Sequence, residues 1–223
     1  MKHLIFCCIL AVSSITMFAQ DLFEPYNVTT KLSKEMCWEA MNEWVALNMN
    51  SYRATVDYKS ETSGKIIIKG RHQDDKAAGM CVVCDLLIPY VEYTLVVACK
   101  DSSCVLTFND LLYTFEAGHG EVSYLPTNVL EDCQREMEVV IDKGEKFQAD
   151  DASRMYLKEL KEKMEAEQLI INDTNAKKKD KKRAETKYKE LKSEANMYES
   201  AIRGLSAFDR DIKLAIFKYL QQY

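Results

Sequence analysis

Proline and glycine are scarce, at three and seven residues in a chain of 223. With so few chain-breaking positions, collagen-like, linker-rich and low-complexity architectures are excluded, and long regular elements are predicted. Histidine is scarcer still for its usual chemical roles, with three in the whole chain. His72 and His119 stand far apart in sequence, so no paired-histidine metal motif is present. No glycine-rich phosphate loop and no serine elbow occurs. The acidic pairs Asp74-Asp75 and Asp150-Asp151 lack the ligand spacing of a calcium loop, and the second fits charge at a helix start. Gly118-His119-Gly120 reads as a flexible loop with one titratable group. Beyond residue 20, no apolar run approaches the roughly 20 residues that span a bilayer. No constellation in the sequence specifies a reaction, and no cofactor is implied.

The first 20 residues, MKHLIFCCILAVSSITMFAQ, carry Lys2, then an apolar core, then Ala19 as a small residue at a cleavage point. Charge, a short greasy helix and a small residue are the three parts of a secretory signal peptide. Cys7 and Cys8 follow too few apolar residues to serve as a lipoprotein attachment site. The expected organisation is a signal peptide over 1–19, a globular domain over 20–149 and a charged helical arm over 150–223. Composition supports that division: residues 20–149 carry a net charge of −9 and residues 150–223 a net charge of +3. An acidic body on a chain expected to be exported does not suggest a nucleic-acid binder. Hydrophobic residues make up 47% of the chain, enough for a packed core and against wholesale disorder.

Within the body, Ser33 is a helix N-cap, and Cys37, Ala40, Met41, Trp44 and Val45 recur at helical spacing, predicting a helix over 34–47. Trp38 lies off that apolar face. The period then changes to two. Residues 52–60 and 65–71 read as a hairpin closed by Glu61-Thr62-Ser63-Gly64. A further strand is expected over 80–87, with Pro89 at a strand start or edge. Strands over 90–100 and 104–115 then flank the two-residue turn Asp101-Ser102. A last helix is expected over 128–141, with Leu130, Cys133, Met137, Val140 and Ile141 on one side. The order predicts an α+β fold, an antiparallel sheet with helices on one face.

The run LSKEMCWEAMNEWVALNMNSYRATVDYKSETSGKIIIKGR, followed by YVEYTLVVACKDSSCVLTFNDL, resembles a family found mainly in Bacteroidota, the domain of unknown function numbered 4468. The shared points are a Ser-initiated helix carrying Trp44, a strand pair closing on Gly64 and Gly70, and a strand hairpin around Lys100-Asp101. The resemblance covers roughly residues 22–117 and implies a fold like that of the TATA-box-binding protein. It implies no activity and no site residues, and the fold likeness says nothing about DNA. Ser102-Ser103 stand where the family tends to have Gly-Arg. The resemblance and the leader together imply export, with the periplasm or cell envelope of a Gram-negative bacterium as the expected location.

Six cysteines remain after the leader: Cys37, Cys81, Cys84, Cys99, Cys104 and Cys133. An even count in an exported chain suggests disulfides. With Asp101-Ser102 as the turn, Cys99 faces Cys104 in a pair that exchanges no backbone hydrogen bonds, with Cα atoms about 4.5 Å apart and within disulfide reach. The alternative is two small buried hydrophobes on the sheet face. Cys81 and Cys84 form a Cys-x-x-Cys, read either as a redox dithiol or half a metal site, or as structural cysteines. Two intervening valines favour a strand, on which positions three apart point to opposite faces.

In the arm, Met155, Tyr156, Leu160, Met164 and Leu169 mark an amphipathic helix over 151–171, and 172–175 a turn and cap. A second helix carries Ala184, Tyr188, Leu191, Ala195, Tyr198, Ile202 and Leu205 at alternating spacings of four and three, a heptad seam. Gly204 and the run 206–209 are expected to break and recap it. The seam must be covered, either by the first arm helix as a hairpin or by a second copy as a coiled coil. The cluster Lys177, Lys178, Lys179, Lys181, Lys182 and Arg183 reads as an anion-binding patch for lipid headgroups, an acidic glycan or an acidic partner, or as a solvated helix start. The function expected from these features is a binding or scaffolding module of the envelope with a helical assembly arm. The other reading is an extracytoplasmic thiol–disulfide or metal protein using Cys81 and Cys84.

Overall fold

The computed structural model describes residues 24–48, 54–74, 87–117, 135 and 146–223. The leader, Cys81 and Cys84, residues 80–86 of the expected third strand, the 118–120 loop and all but Arg135 of the expected 128–141 helix lie outside the described residues. The elements are β1 (Tyr26–Thr29), α1 (Lys34–Asn48), β2 (Ala54–Ser60), β3 (Lys65–Gln73), β4 (Leu87–Lys100), β5 (Ser103–Ala117), β6 (Lys146–Phe147), α2 (Asp151–Asn172) and α3 (Lys178–Gln222). Among the described residues no helix is long and apolar enough to cross a membrane.

The strands form one antiparallel sheet in the order β1-β5-β4-β3-β2, with β6 also on β5. β1 and β6 share the outer edge of β5. β1 pairs with Ser103 to Leu106, and β6 pairs with Tyr113 and Thr114. Both are too short to show a period in the sequence.

Alternation dictates which face is buried. Val91, Tyr93, Leu95, Val97 and Cys99 of β4 point inward, as do Cys104, Leu106 and Phe108 of β5. On β5 the inward set then changes phase to Leu111, Tyr113 and Phe115. A bulge explains the change: Thr94 pairs with Asp110 and Leu95 with Phe108, so Asn109 is the extra residue. Without it the second half of β5 would turn its aromatics to the opposite face.

Two helices cover this inner face, giving the α+β arrangement. α1 contributes Cys37, Trp38, Ala40, Met41, Trp44 and Val45, so Trp38 joins the core although it lies off the main stripe. The second cover is the C-terminal half of α3. Met197, Ala201, Leu205, Phe208, Ile212, Ile216 and Leu220 belong to the same core cluster as the sheet residues. Phe208 sits 4.9 Å from Tyr93 and 5.5 Å from His72, ring centroid to centroid. The composition boundary at 149/150 is thus crossed by the packing.

The expected break near Gly204 is not there: α3 runs unbroken for 45 residues. Gly204 serves a close approach instead. A Cβ at that position would lie 2.3 Å from the Tyr113 ring and 2.6 Å from Asp74 Oδ2. Tertiary packing holds the helix across a residue whose intrinsic preference disfavours it by about 1 kcal/mol.

The N-terminal half of α3 leaves the body and pairs with α2 as an antiparallel hairpin. Leu160, Leu191 and Ala195 form its buried centre, flanked by Tyr156, Leu157, Met164 and Tyr198. The heptad seam is therefore covered within the chain. Asp150 caps α2 by accepting from Ser153 N at 2.8 Å, and Asp173 terminates it. Edge-to-face contacts of Tyr198 with Phe147 (5.2 Å), and of Phe147 with Phe115 (5.6 Å), tie the hairpin root to the sheet.

Candidate functional site

Two features stand out chemically: a cluster of buried thiols under α1, and the tip of the hairpin.

The thiol cluster is assembled by the β4–β5 turn. Ser33 Oγ accepts from Met36 N, and Asp101 Oδ1 of the turn accepts from Lys34 N at 3.0 Å, so the strand hairpin caps the start of α1. Ser102 holds a φ of +58°. Its amide donates to Leu32 O and its carbonyl accepts from Thr30 N, both at 3.0 Å. These bonds fix the helix start over the strand ends, and the first turn of α1 brings Cys37 down onto β4 and β5.

Cys99 and Cys104 are register partners, as the turn predicts. The Cys99 amide donates to Gly64 O in the turn just before β3, at 2.7 Å, rather than across the pair. Gly64 has a φ of +65°, and a Cβ there would meet the Cys99 carbonyl at 2.5 Å. The structure holds Cys99 and Cys104 as free thiols, with Cys37 as a third. Their three sulfurs lie within 4.8 Å of one another, and the residues are 0%, 2% and 0% exposed for Cys37, Cys99 and Cys104.

Electrostatics within the cluster are shared. Hydrogen bonds donated by Cys104 and then Cys99 hold the Cys37 thiol down to about 4 against the opposing cost of burial. On Cys99, donation from Cys104 lowers the value, but its bond to Cys37 and burial outweigh this and push it up to about 12. Cys104 is raised further, by its bonds to Cys37 and Cys99 and by burial. When Cys37 carries the proton, its S–H faces the Ser103 carbonyl 4.0 Å away. Sequence reasoning placed Cys99 opposite Cys104 but missed Cys37, although its position on the buried stripe of α1 was a usable signal.

At the other end of the molecule, Lys177, Lys178, Lys179, Lys182 and Arg183 are exposed and Lys181 half-buried. They begin α3, whose N-cap Lys177 makes no side-chain cap bond. Directly across the turn, Leu169 is 73% exposed and Ile170 41%. Basic and aliphatic side chains thus share one tip. The open groove beside it is lined by charges of both signs, including Glu167, Asp180, Arg183, Lys187 and Glu190.

Two buried polar contacts lie between α3 and the sheet. Tyr113 Oη donates to Asp74 Oδ2 at 2.8 Å; burial, and then the Asp74 charge, push the Tyr113 phenol well above its ordinary range. Lys213 Nζ lies 2.7 Å from Asp209 Oδ1 and over the rings of Tyr26 and Phe108. Burial raises the Asp209 carboxyl, with the Lys213 contact opposing.

No curated protein matches the chain. Two solved structures are similar to it. One is a DUF4468 family protein from Bacteroides ovatus: 15% identity, 46% of this chain and 61% of that one covered, TM-score 0.35. The chain thus spans less than two thirds of that protein. The other is a TBP-like protein from Parabacteroides distasonis: 14% identity, 52% of this chain and 83% of that one covered, TM-score 0.32. Residues 29–114 match the family described as a domain of unknown function (DUF4468) with TBP-like fold.

Proposed function

We propose that this chain is an exported binding or scaffolding module of the cell envelope, and that the hairpin tip is its docking end. The observation that carries the reading is the joint exposure of Leu169 and Ile170 beside six basic residues on an arm rooted in the core. Aliphatic side chains that enter the headgroup boundary, together with lysines that meet anionic headgroups, are the two components of peripheral membrane attachment. An acidic protein or glycan would use the basic residues but leave the two aliphatic ones in water. The export signal read from residues 1–20 supports the compartment. Because α2 already covers the seam of α3, self-association through that seam is not part of the proposal.

The test is co-sedimentation of the mature chain with phosphatidylglycerol vesicles and with neutral phosphatidylcholine vesicles. Each basic residue near an anionic surface contributes about 1 kcal/mol. Changing Lys178, Lys179 and Lys182 to Gln is expected to weaken binding about 100-fold, and Leu169→Ser to weaken it further. Equal binding to neutral vesicles, or none to either, overturns the reading.

A further inference from the structure

We propose that Cys37, Cys99 and Cys104 form a three-sulfur binding site for a soft monovalent metal ion, with copper(I) as the fitting species. Among the described residues this is the only group of three metal-ligating side chains drawn together this closely. The ligands come from three elements, α1, β4 and β5, so the fold must form before the set is complete. That is how a pre-organised site is built.

The donor set and its spacing select the metal class. A metal about 2.3 Å from each of three sulfurs in a plane needs those sulfurs about 4 Å apart. The observed limit of 4.8 Å lies within a small side-chain adjustment of that value. Thiolates favour soft ions such as copper(I) and also zinc. Zinc in a structural site takes four ligands in a tetrahedron, and no fourth histidine, cysteine or carboxylate joins the group among the described residues. Burial at 2% exposure or less also leaves no open side for a water ligand.

Binding balances without redox chemistry: each thiol that becomes a thiolate ligand releases its proton to solvent, and no electron is transferred, because the metal enters already as copper(I).

The backbone supports positions the ligands need. The Gly64 carbonyl holds the Cys99 amide, and the Asp101 and Ser102 bonds hold Cys37 over the strand pair. The site is independent of the hairpin tip, which lies at the far end of α3, so failure of either proposal leaves the other standing.

The experiment uses the full mature chain, reduced and kept free of oxygen, in a background with Cys81, Cys84 and Cys133 changed to Ser. Copper(I) is supplied as its acetonitrile complex and titrated against a chromophoric copper(I) chelator. One equivalent is expected to bind, with a sulfur-to-copper charge-transfer band in the ultraviolet and a rise in thermal midpoint. Cys37→Ala and Cys104→Ala should each lower the affinity at least 100-fold. Circular dichroism and the metal-free thermal midpoint confirm that each variant is folded. Should Cys104→Ala not fold, Cys37→Ala on the helix, together with X-ray absorption of the unsubstituted cluster showing three sulfur neighbours, decides the question. Retention of copper(I) by folded Cys37→Ala, or failure of the reduced parent to compete with the chelator, overturns the proposal.

Discussion

Replacing Gly204 by alanine sets two effects of opposite sign against each other. Helix propensity predicts stabilisation: alanine is favoured over glycine by about 1 kcal/mol in a helix interior, and Gly204 is far from either end of α3. Packing predicts the reverse. The new methyl would come within 2.3 Å of Tyr113 Cε2, 2.6 Å of Asp74 Oδ2 and 3.0 Å of Tyr113 Cζ. Tyr113 is fully buried and flanked by Phe115 at 5.3 Å, so the ring has little room to retreat. Overpacking of this kind costs about 1–3 kcal/mol. Displacing the phenol also weakens its 2.8 Å hydrogen bond to Asp74, a contribution of about 1 kcal/mol. The steric and hydrogen-bond losses exceed the propensity gain, and the net is a destabilisation of about 2 kcal/mol. For a chain of this size that corresponds to a fall in thermal midpoint of about 4–8 °C. Urea unfolding gives the same quantity, provided that the slope m is unchanged. A midpoint that stays level or rises after Gly204→Ala refutes the argument that this glycine exists to let the helix approach the sheet.

The buried pair Asp209–Lys213 yields a second test. Asp209→Ala leaves the lysine charge buried and uncompensated, and is expected to cost about 3–5 kcal/mol. The double change Asp209→Leu with Lys213→Met is expected to restore most of that in urea unfolding; a double variant as weak as the single one counts against the pairing. A third concerns pH. The Asp150 carboxyl is lowered by its hydrogen bonds from Ser153, side chain and then backbone. A lowered carboxyl contributes stability that is present above its unfolded value and lost as pH falls through the folded one. Asp150→Ala should cost about 1 kcal/mol at pH 7. The advantage of Asp150 over Asn should shrink progressively below about pH 4; an advantage that is constant from pH 7 to pH 2 contradicts the charged cap.

Regular periods made much of this architecture legible before any coordinates. The two-residue period gave β2, β3, β4 and β5, and the turn at Asp101-Ser102 gave the Cys99–Cys104 register. Helical spacing gave α1 and both arm helices. β1 and β6 escaped because four and two residues are too few to establish a period; their places are set by the free edge of β5. The continuity of α3 escaped for a different reason. Gly204 and Ser206 have poor local helix preference, and only the apposed Tyr113 reveals why glycine stands there. The seam from Ala184 to Leu205 also hid a second stripe, Met197, Ala201, Phe208 and Ile212, on a neighbouring face of the same helix. The seam meets α2 around Leu191 and Ala195, its last residues Ile202 and Leu205 join the second stripe on the sheet, and a single heptad template cannot express both. The thiol triad required long-range information, since Cys37 precedes its partners by more than sixty positions. The aliphatic half of the tip was in view as Leu169, but its exposure depends on where the hairpin turns.

An unbroken α3 also makes the molecule a lever. At 1.5 Å per residue, the stretch from Met197 out to Lys178 extends about 29 Å beyond the body. Swivelling that shaft by about 5° at its fulcrum, where Tyr198 bears on Phe147, would sweep the far end through roughly 2.5 Å. Traction applied to the distal lysines would be delivered, without a hinge to absorb it, straight onto Phe208 and the strands beneath.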